Sequence, residues 1–185
     1  MDGIKDKKYI LIKKFFSKDE LDFLQNYCKK RIFFGKDCMF TDSQAVFSAS
    51  FYKDMVMSIY LETKLNKIEE ISKLKLFPTY AYWRAYSFNA TLQDHTDREA
   101  CEISVSANID QCGESWPIHM DGTSIEMEKG DAIMYLGCDI LHGRKVFNGV
   151  YHSQVFFHYV DQNGPHAKHQ YDQITNSILK QKEPN

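Results

Sequence analysis

No uninterrupted apolar run in these 185 residues approaches the ~18 needed for a membrane span. The opening Met-Asp-Gly-Ile-Lys lacks the apolar stretch and small-residue cleavage site of a secretory leader, so a cytoplasmic protein with no membrane contact is expected. Charge of one sign is missing too, because 23 Lys and Arg face 25 Asp and Glu for a formal net charge of -2. The short lysine groups near the N-terminus are interrupted by apolar residues and read as solvated faces, so nucleic acid is not indicated as a partner. Cysteine is sparse and unpaired in pattern: Cys28, Cys38, Cys101, Cys112 and Cys138 are odd in number and contain no Cys-x-x-Cys. That excludes a disulfide framework and a zinc knuckle, leaving reduced, mostly buried thiols as the expectation. Internal repeats and low-complexity tracts are absent, and only residues 180–185 read as frayed.

What is present is aromatic and short-period. Phe, Trp and Tyr make up 14% of the chain, which suits strands that favour aromatic and β-branched side chains. A chain of this length forms one domain that buries roughly 70% of its unfolded surface. Within that domain, 1–75 reads as an N-terminal strand with supporting helices, 76–164 as the β core, and 165–185 as a tail.

Tyr9 to Ile12 is a strand candidate, and Ser17-Lys18-Asp19-Glu20 is a capping box that opens a helix running through about Ile32. A polar stretch over 40–50 reads as loop, and a second helix is expected from Phe51 to about Leu74. After Pro78 the period shortens. Tyr80, Tyr82, Arg84 and Tyr86 alternate onto one strand face, and Ile103, Val105, Ala107 and Ile109 oppose Ser104, Ser106 and Asn108. Further short strands cover 116–120, 124–127, 132–136 and 154–160, punctuated by Asp121-Gly122 and Lys129-Gly130-Asp131. Closely spaced strands behind two helices predict a mainly β fold with supporting α-helices, an antiparallel double-sheet jelly roll.

The chemistry lies in His95, Asp97 and His142. In extended chain, residues two apart point the same way, so His95 and Asp97 can converge on one ion while a neighbouring strand returns His142. Two imidazoles and one carboxylate with the remaining positions open suit non-haem Fe(II) oxygen chemistry. A bare His-x-Asp arises often by chance. The strand order around it gives it weight.

From about Leu76 to Gly164 the chain resembles the prolyl 4-hydroxylase-like branch of the 2-oxoglutarate- and Fe(II)-dependent dioxygenases. The resemblance is carried by Tyr86, Leu92-Gln93-Asp94-His95-Thr96-Asp97-Arg98, Cys101 to Ser106, the Gly130-Asp131 turn, His142-Gly143-Arg144, and Gln154 to Tyr159. It implies a double-stranded β-helix, Fe(II) held by His95, Asp97 and His142, 2-oxoglutarate as co-substrate, dioxygen, and hydroxylation of a small molecule or peptide side chain. Asp97 argues for hydroxylation, since halogenating relatives carry a small residue in that place. Tyr86 matches a tyrosine that helps hold the co-substrate.

One position departs from the family. Where an Arg or Lys usually anchors the distal carboxylate of 2-oxoglutarate, this chain has His152, ten residues past His142. A protonated His152 is one candidate anchor, and Arg144 and Arg84 are the others; a guanidinium is the stronger, planar partner. The missing Arg or Lys also leaves a second reading, a non-redox metal-binding jelly roll or a catalytically inactive interaction module. His119 reads as a half-buried packed side chain, and His158 as packing with barrel lining as its alternative, while His166 and His169 suggest a second metal site that is discounted because they lack a companion ligand cluster. The substrate itself is not specified, because loops such as 34–50 and 110–115 would shape its pocket.

Overall fold

The structure, a computed structural model, describes residues 3–34, 44–52 and 54–172. Cys38, residues 35–43 of the expected 34–50 loop, and residues 180–185, expected to be frayed, lie outside the described residues. A short helix α1 (Ile4–Lys7) precedes β1 (Tyr9–Ile12), and α2 (Lys18–Phe34) follows. The capping box forms as the sequence predicts: Ser17 N donates to Glu20 Oε2 at 2.8 Å and Glu20 N donates to Ser17 Oγ at 3.3 Å.

The second helix starts later than expected. Ser48–Tyr52 is strand β2, and α3 runs Met55–Ser72. Two contacts explain the correction. Phe51 is the cross-strand partner of Trp83 and stacks on it at 4.0 Å, which rewards extended backbone there. Asp54 then caps α3, its Oδ1 accepting from Val56 N and Met57 N at 3.1 and 3.2 Å.

The remaining strands are β3 (Leu76–Ser87), β4 (Leu92–His95), β5 (Ile103–Cys112), β6 (Ile118–Met120), β7 (Thr123–Ile125), β8 (Ala132–Leu136), β9 (His142–Arg144) and β10 (Tyr151–Asp161). They build two antiparallel sheets, ordered β1-β8-β5-β10-β3-β2 and β4-β9-β6-β7. Strand β5 runs through Cys112, so the expected 110–115 loop is shorter than the sequence indicates. The β6–β7 hairpin turns on Asp121 (φ 47°) and Gly122 (φ 81°), the left-handed pair that matches strand twist.

Alternation divides the larger sheet into two chemistries. Its outer face contributes Ala81, Trp83, Ile103, Val105, Val155 and Phe157 to one core with Leu24 and Cys28 of α2 and Met57, Leu61 and Ile68 of α3. Each such large apolar side chain contributes about 1.5–3 kcal/mol by burial. The inner face carries Tyr82, Arg84, Gln154, Phe156 and His158, which line a narrow cavity against Leu92, Ile118 and Tyr135. The helices therefore brace one side of the sheet and leave the other free to be polar.

Candidate metal centre

Strands β4 and β9 pair with His95 directly opposite His142, bringing the two rings to 4.3 Å between centroids. Each imidazole is oriented by its own backbone. His95 Nδ1 lies 2.8 Å from Gln93 O and His142 Nδ1 lies 2.9 Å from Ile140 O. A carbonyl can only accept, so both Nδ1 atoms carry the proton and both Nε2 lone pairs are left for an ion.

Asp97 completes a triangle. Its Oδ1 stands 3.6 Å from His95 Nε2 and 3.6 Å from His142 Nε2, and the three ligand atoms lie within 4.8 Å of one another. Its Oδ2 is turned away and accepts from Ser104 Oγ at 2.8 Å. Burial opposes ionisation of Asp97, but the adjoining His142 and His95 rings, which attract the carboxylate when they take up a second proton, outweigh it and hold the carboxyl well below the usual carboxylate range.

Two residues that sequence reasoning did not single out fix this carboxylate. Asp97 N donates to Gly137 O at 2.8 Å, and a Cβ on Gly137 would press first on the Cys101 carbonyl oxygen and then sit 2.6 Å from Asp97 Oδ2 and 2.9 Å from Ser104 Oγ. Only glycine leaves the carboxylate its seat. Ser104 was legible as an inward-facing residue of β5, but not as the partner of Asp97. Its hydroxyl also contacts His158 Nδ1 at 2.9 Å, so with the serine proton on Asp97 the imidazole donates to serine. His158 does pack against Tyr80, with centroids 4.7 Å apart, yet it also faces the centre rather than serving packing alone. Burial pushes its pKa down to about 4.

Beside this cavity, Tyr86, Trp116, His152 and Arg144 pack into a second buried cluster. Trp116 meets Tyr86 at 4.8 Å and His152 at 5.4 Å, and the Arg144 guanidinium carbon lies 4.9 Å from the Trp116 ring centre. Arg144 donates one terminal N–H to Trp116 O, while its Nε and its other terminal nitrogen have no acceptor among the described residues. It is 3% exposed, and burial lowers its pKa only to about 10, so it stays charged at neutral pH.

His152 behaves otherwise than the imidazolium expected from sequence. It is 1% exposed, neither ring nitrogen has a partner among the described residues, and burial together with the Arg144 charge holds its pKa well below the ordinary value. A neutral ring supplies no charge for a carboxylate. Arg84 lines the metal-side cavity and is engaged: Nε donates to Ser50 Oγ at 2.8 Å and one terminal nitrogen to Tyr86 Oη at 3.5 Å.

His119 is half-buried, as its strand position predicts. His166 and His169 are not without a companion: Glu99, from a 3-10 turn nearly seventy residues earlier in the chain, lies with them in one cluster. Sequence distance hid it.

No protein-family model and no curated protein matches the sequence. Solved structures do match. A viral collagen prolyl hydroxylase of Paramecium bursaria Chlorella virus-1, in complex with 2-oxoglutarate, is 15% identical with a TM-score of 0.63, the alignment covering 84% of this chain and 97% of that one. A prolyl-4-hydroxylase of Pseudomonas putida is 13% identical with a TM-score of 0.64, covering 83% and 92%. HygX of Streptomyces hygroscopicus, with nickel, 2-oxoglutarate and hygromycin B bound, is 8% identical with a TM-score of 0.65, covering 84% of each chain. The fold is that of the 2-oxoglutarate- and Fe(II)-dependent oxygenases. This oxygenase fold is the double-stranded β-helix, and here its two sheets bring His95, Asp97 and His142 to one polar cavity that Arg84 also lines, while Arg144 is buried against Trp116. A cleft beside the triangle is lined by Tyr52, Tyr80, Tyr82, Arg98 and His158. No described helix is long and apolar enough to cross a membrane.

Proposed function

We propose that this chain is an Fe(II)- and 2-oxoglutarate-dependent dioxygenase that hydroxylates an unactivated C–H bond of a small molecule or peptide side chain. The observation that carries this reading is the coexistence, in one fold, of a two-His, one-Asp triangle and a buried guanidinium with two nitrogens that have no acceptor among the described residues. A buried cation without an acceptor is costly, and an anionic ligand relieves that cost.

His95 Nε2, His142 Nε2 and Asp97 Oδ1 would hold Fe(II), leaving open the positions that the co-substrate and dioxygen need. When bound, that group supplies a two-electron oxidation: one oxygen atom of O2 enters the C–H bond, the other enters succinate, and CO2 leaves. The chain's own residues do the rest. Ser104 and Gly137 keep Oδ1 of Asp97 aimed at the ion by holding Oδ2 aside. Arg144 pairs with the distal carboxylate of 2-oxoglutarate, and Tyr86 packs with it on the Trp116 ring. Leu92, Ile118 and Phe156 exclude water from the interior. The tyrosine-lined cleft is where the substrate approaches.

The alternative, a metal-holding or inert binding module, needs no open side on the triangle and no buried orphan cation. The two are separated by measuring oxygen uptake and succinate formation from 2-oxoglutarate with added Fe(II). The parent protein is expected to turn over the co-substrate and Asp97→Ala to lose that turnover while keeping its far-UV circular dichroism. Decarboxylation by Asp97→Ala at the parent rate overturns the assignment of the triangle, and a parent protein that never consumes 2-oxoglutarate leaves the binding module as the function.

A further inference from the structure

After β10 the chain turns back across the 3-10 turn Glu99–Cys101, which begins two residues past Asp97. The returning segment is held at two points: Tyr171 N donates to Pro78 O at 2.9 Å, and Arg98 pairs with Asp172 at 2.6 Å. Just before them lies a second 3-10 turn, Ala167–His169, preceded by His166. In a 3-10 turn, residues three apart eclipse one another, so His166 and His169 present their rings to the same side. That side faces Glu99.

The geometry is that of a ligand set. His169 Nε2 is 3.0 Å and His166 Nδ1 is 3.7 Å from Glu99 Oε2, and the three atoms lie within 4.8 Å of one another. Tetrahedral zinc with bonds of about 2.0–2.1 Å needs ligand atoms about 3.3–3.5 Å apart, inside that bracket. His169 has a further feature of a metal-bound imidazole. Its other nitrogen, Nδ1, stands 3.5 Å from Asp172 Oδ1, and Asp172 is itself anchored by Arg98. A carboxylate behind a histidine orients the ring and raises its basicity as a ligand.

Lys168 Nζ approaches the same Glu99 oxygen at 3.3 Å, but the lysine is 68% exposed and the glutamate 56%. An exposed pair of this kind is weak and both partners are free to swing, so it yields to direct coordination. We propose that Glu99, His166 and His169 form a second metal site, distinct from the His95–Asp97–His142 triangle, that takes Zn2+ with water completing its coordination. The ion would tie the C-terminal segment to the rim of the tyrosine-lined cleft, where Arg98 lies 4.8 Å from the Tyr80 ring centre.

The test is calorimetric titration of the chelator-stripped full chain with Zn2+ alone, at about pH 8, where ordinary imidazoles are neutral. The parent is expected to bind two equivalents, His166→Ala/His169→Ala one, and His95→Ala/His142→Ala one. Combining all four changes should abolish stoichiometric binding. All of these variants are compared by circular dichroism, and Glu99→Gln, which keeps size and hydrogen bonding, should weaken the second equivalent at least tenfold. Absence of zinc binding in a folded His95→Ala/His142→Ala protein overturns the proposal, as does binding there that is unchanged when His166 and His169 are also replaced.

Discussion

Replacing Arg144 by Met tests the proposed co-substrate anchor. Methionine retains much of the arginine's length and its packing on Trp116, but removes the charge, the N–H given to Trp116 O, and the two nitrogens that lack acceptors among the described residues. In the ligand-free protein those nitrogens stabilise nothing, and a buried, incompletely paired charge is commonly neutral or better when replaced by an apolar group. Arg144→Met is therefore expected to fold, with any stability loss limited to about 1–3 kcal/mol from leaving Trp116 O without its donor. With 2-oxoglutarate the loss is larger and appears as affinity. Two charge-assisted hydrogen bonds to one carboxylate, at about 1.5–3 kcal/mol each, correspond to a loss of about 10²–10⁴ in affinity. Anaerobic calorimetry on the Fe(II)-loaded protein reads this directly, and a 2-oxo acid without the distal carboxylate serves as the control. It should bind parent and variant alike, because it never meets residue 144. Equal 2-oxoglutarate affinity in parent and Arg144→Met refutes the reasoning, and a loss confined to Arg84→Met moves the anchor to the arginine that Ser50 and Tyr86 hold.

What could be read from the sequence was whatever depends on alternation along one strand. The inward set Tyr80, Tyr82, Arg84 and Tyr86, the split of β5 into an apolar and a polar face, and the convergence of His95 with Asp97 all follow from a period of two. What could not be read was which distant segment arrives opposite. Gly137 carries no periodic signal and matters because Asp97 Oδ2 and Ser104 Oγ crowd the place its side chain would occupy. Glu99 looks like an ordinary surface acid until the chain returns with His166 and His169. Residues 48–52 read as polar loop running into helix because their burial comes from Trp83 and Arg84 of β3, a strand some thirty residues later. His152 illustrates a different limit: its position matches the family's anchor, but its ionisation is decided by burial and by Arg144, neither of which position alone reveals.

Gly137→Ala should press its methyl on Cys101 O and Asp97 Oδ2 and displace both, weakening Fe(II) binding about 10–100-fold in an anaerobic metal titration, the range typical for groups that orient a ligand. Unchanged metal affinity would show that the carboxylate is seated by something else. The acid side of stability should depend on Asp131, which is 2% exposed and accepts from Lys13 Nζ, Glu128 N and Lys14 N at 2.7, 2.9 and 3.0 Å. Burial alone would raise its pKa, but the Lys13 hydrogen bond and the two backbone donors outweigh burial and lower it. The unfolded chain, with an ordinary value near 3.9, then binds this proton more readily than the folded one, so stability rises with pH through this window. The contribution is fully present above about pH 4 and is lost as pH falls through the lower folded value. Asp131→Asn should therefore be less stable than the parent at neutral pH, with the gap narrowing below pH 4 in urea titrations; a gap that stays constant down to about pH 2 would mean that the carboxylate's charge is not what holds the Lys13–Glu128 corner together.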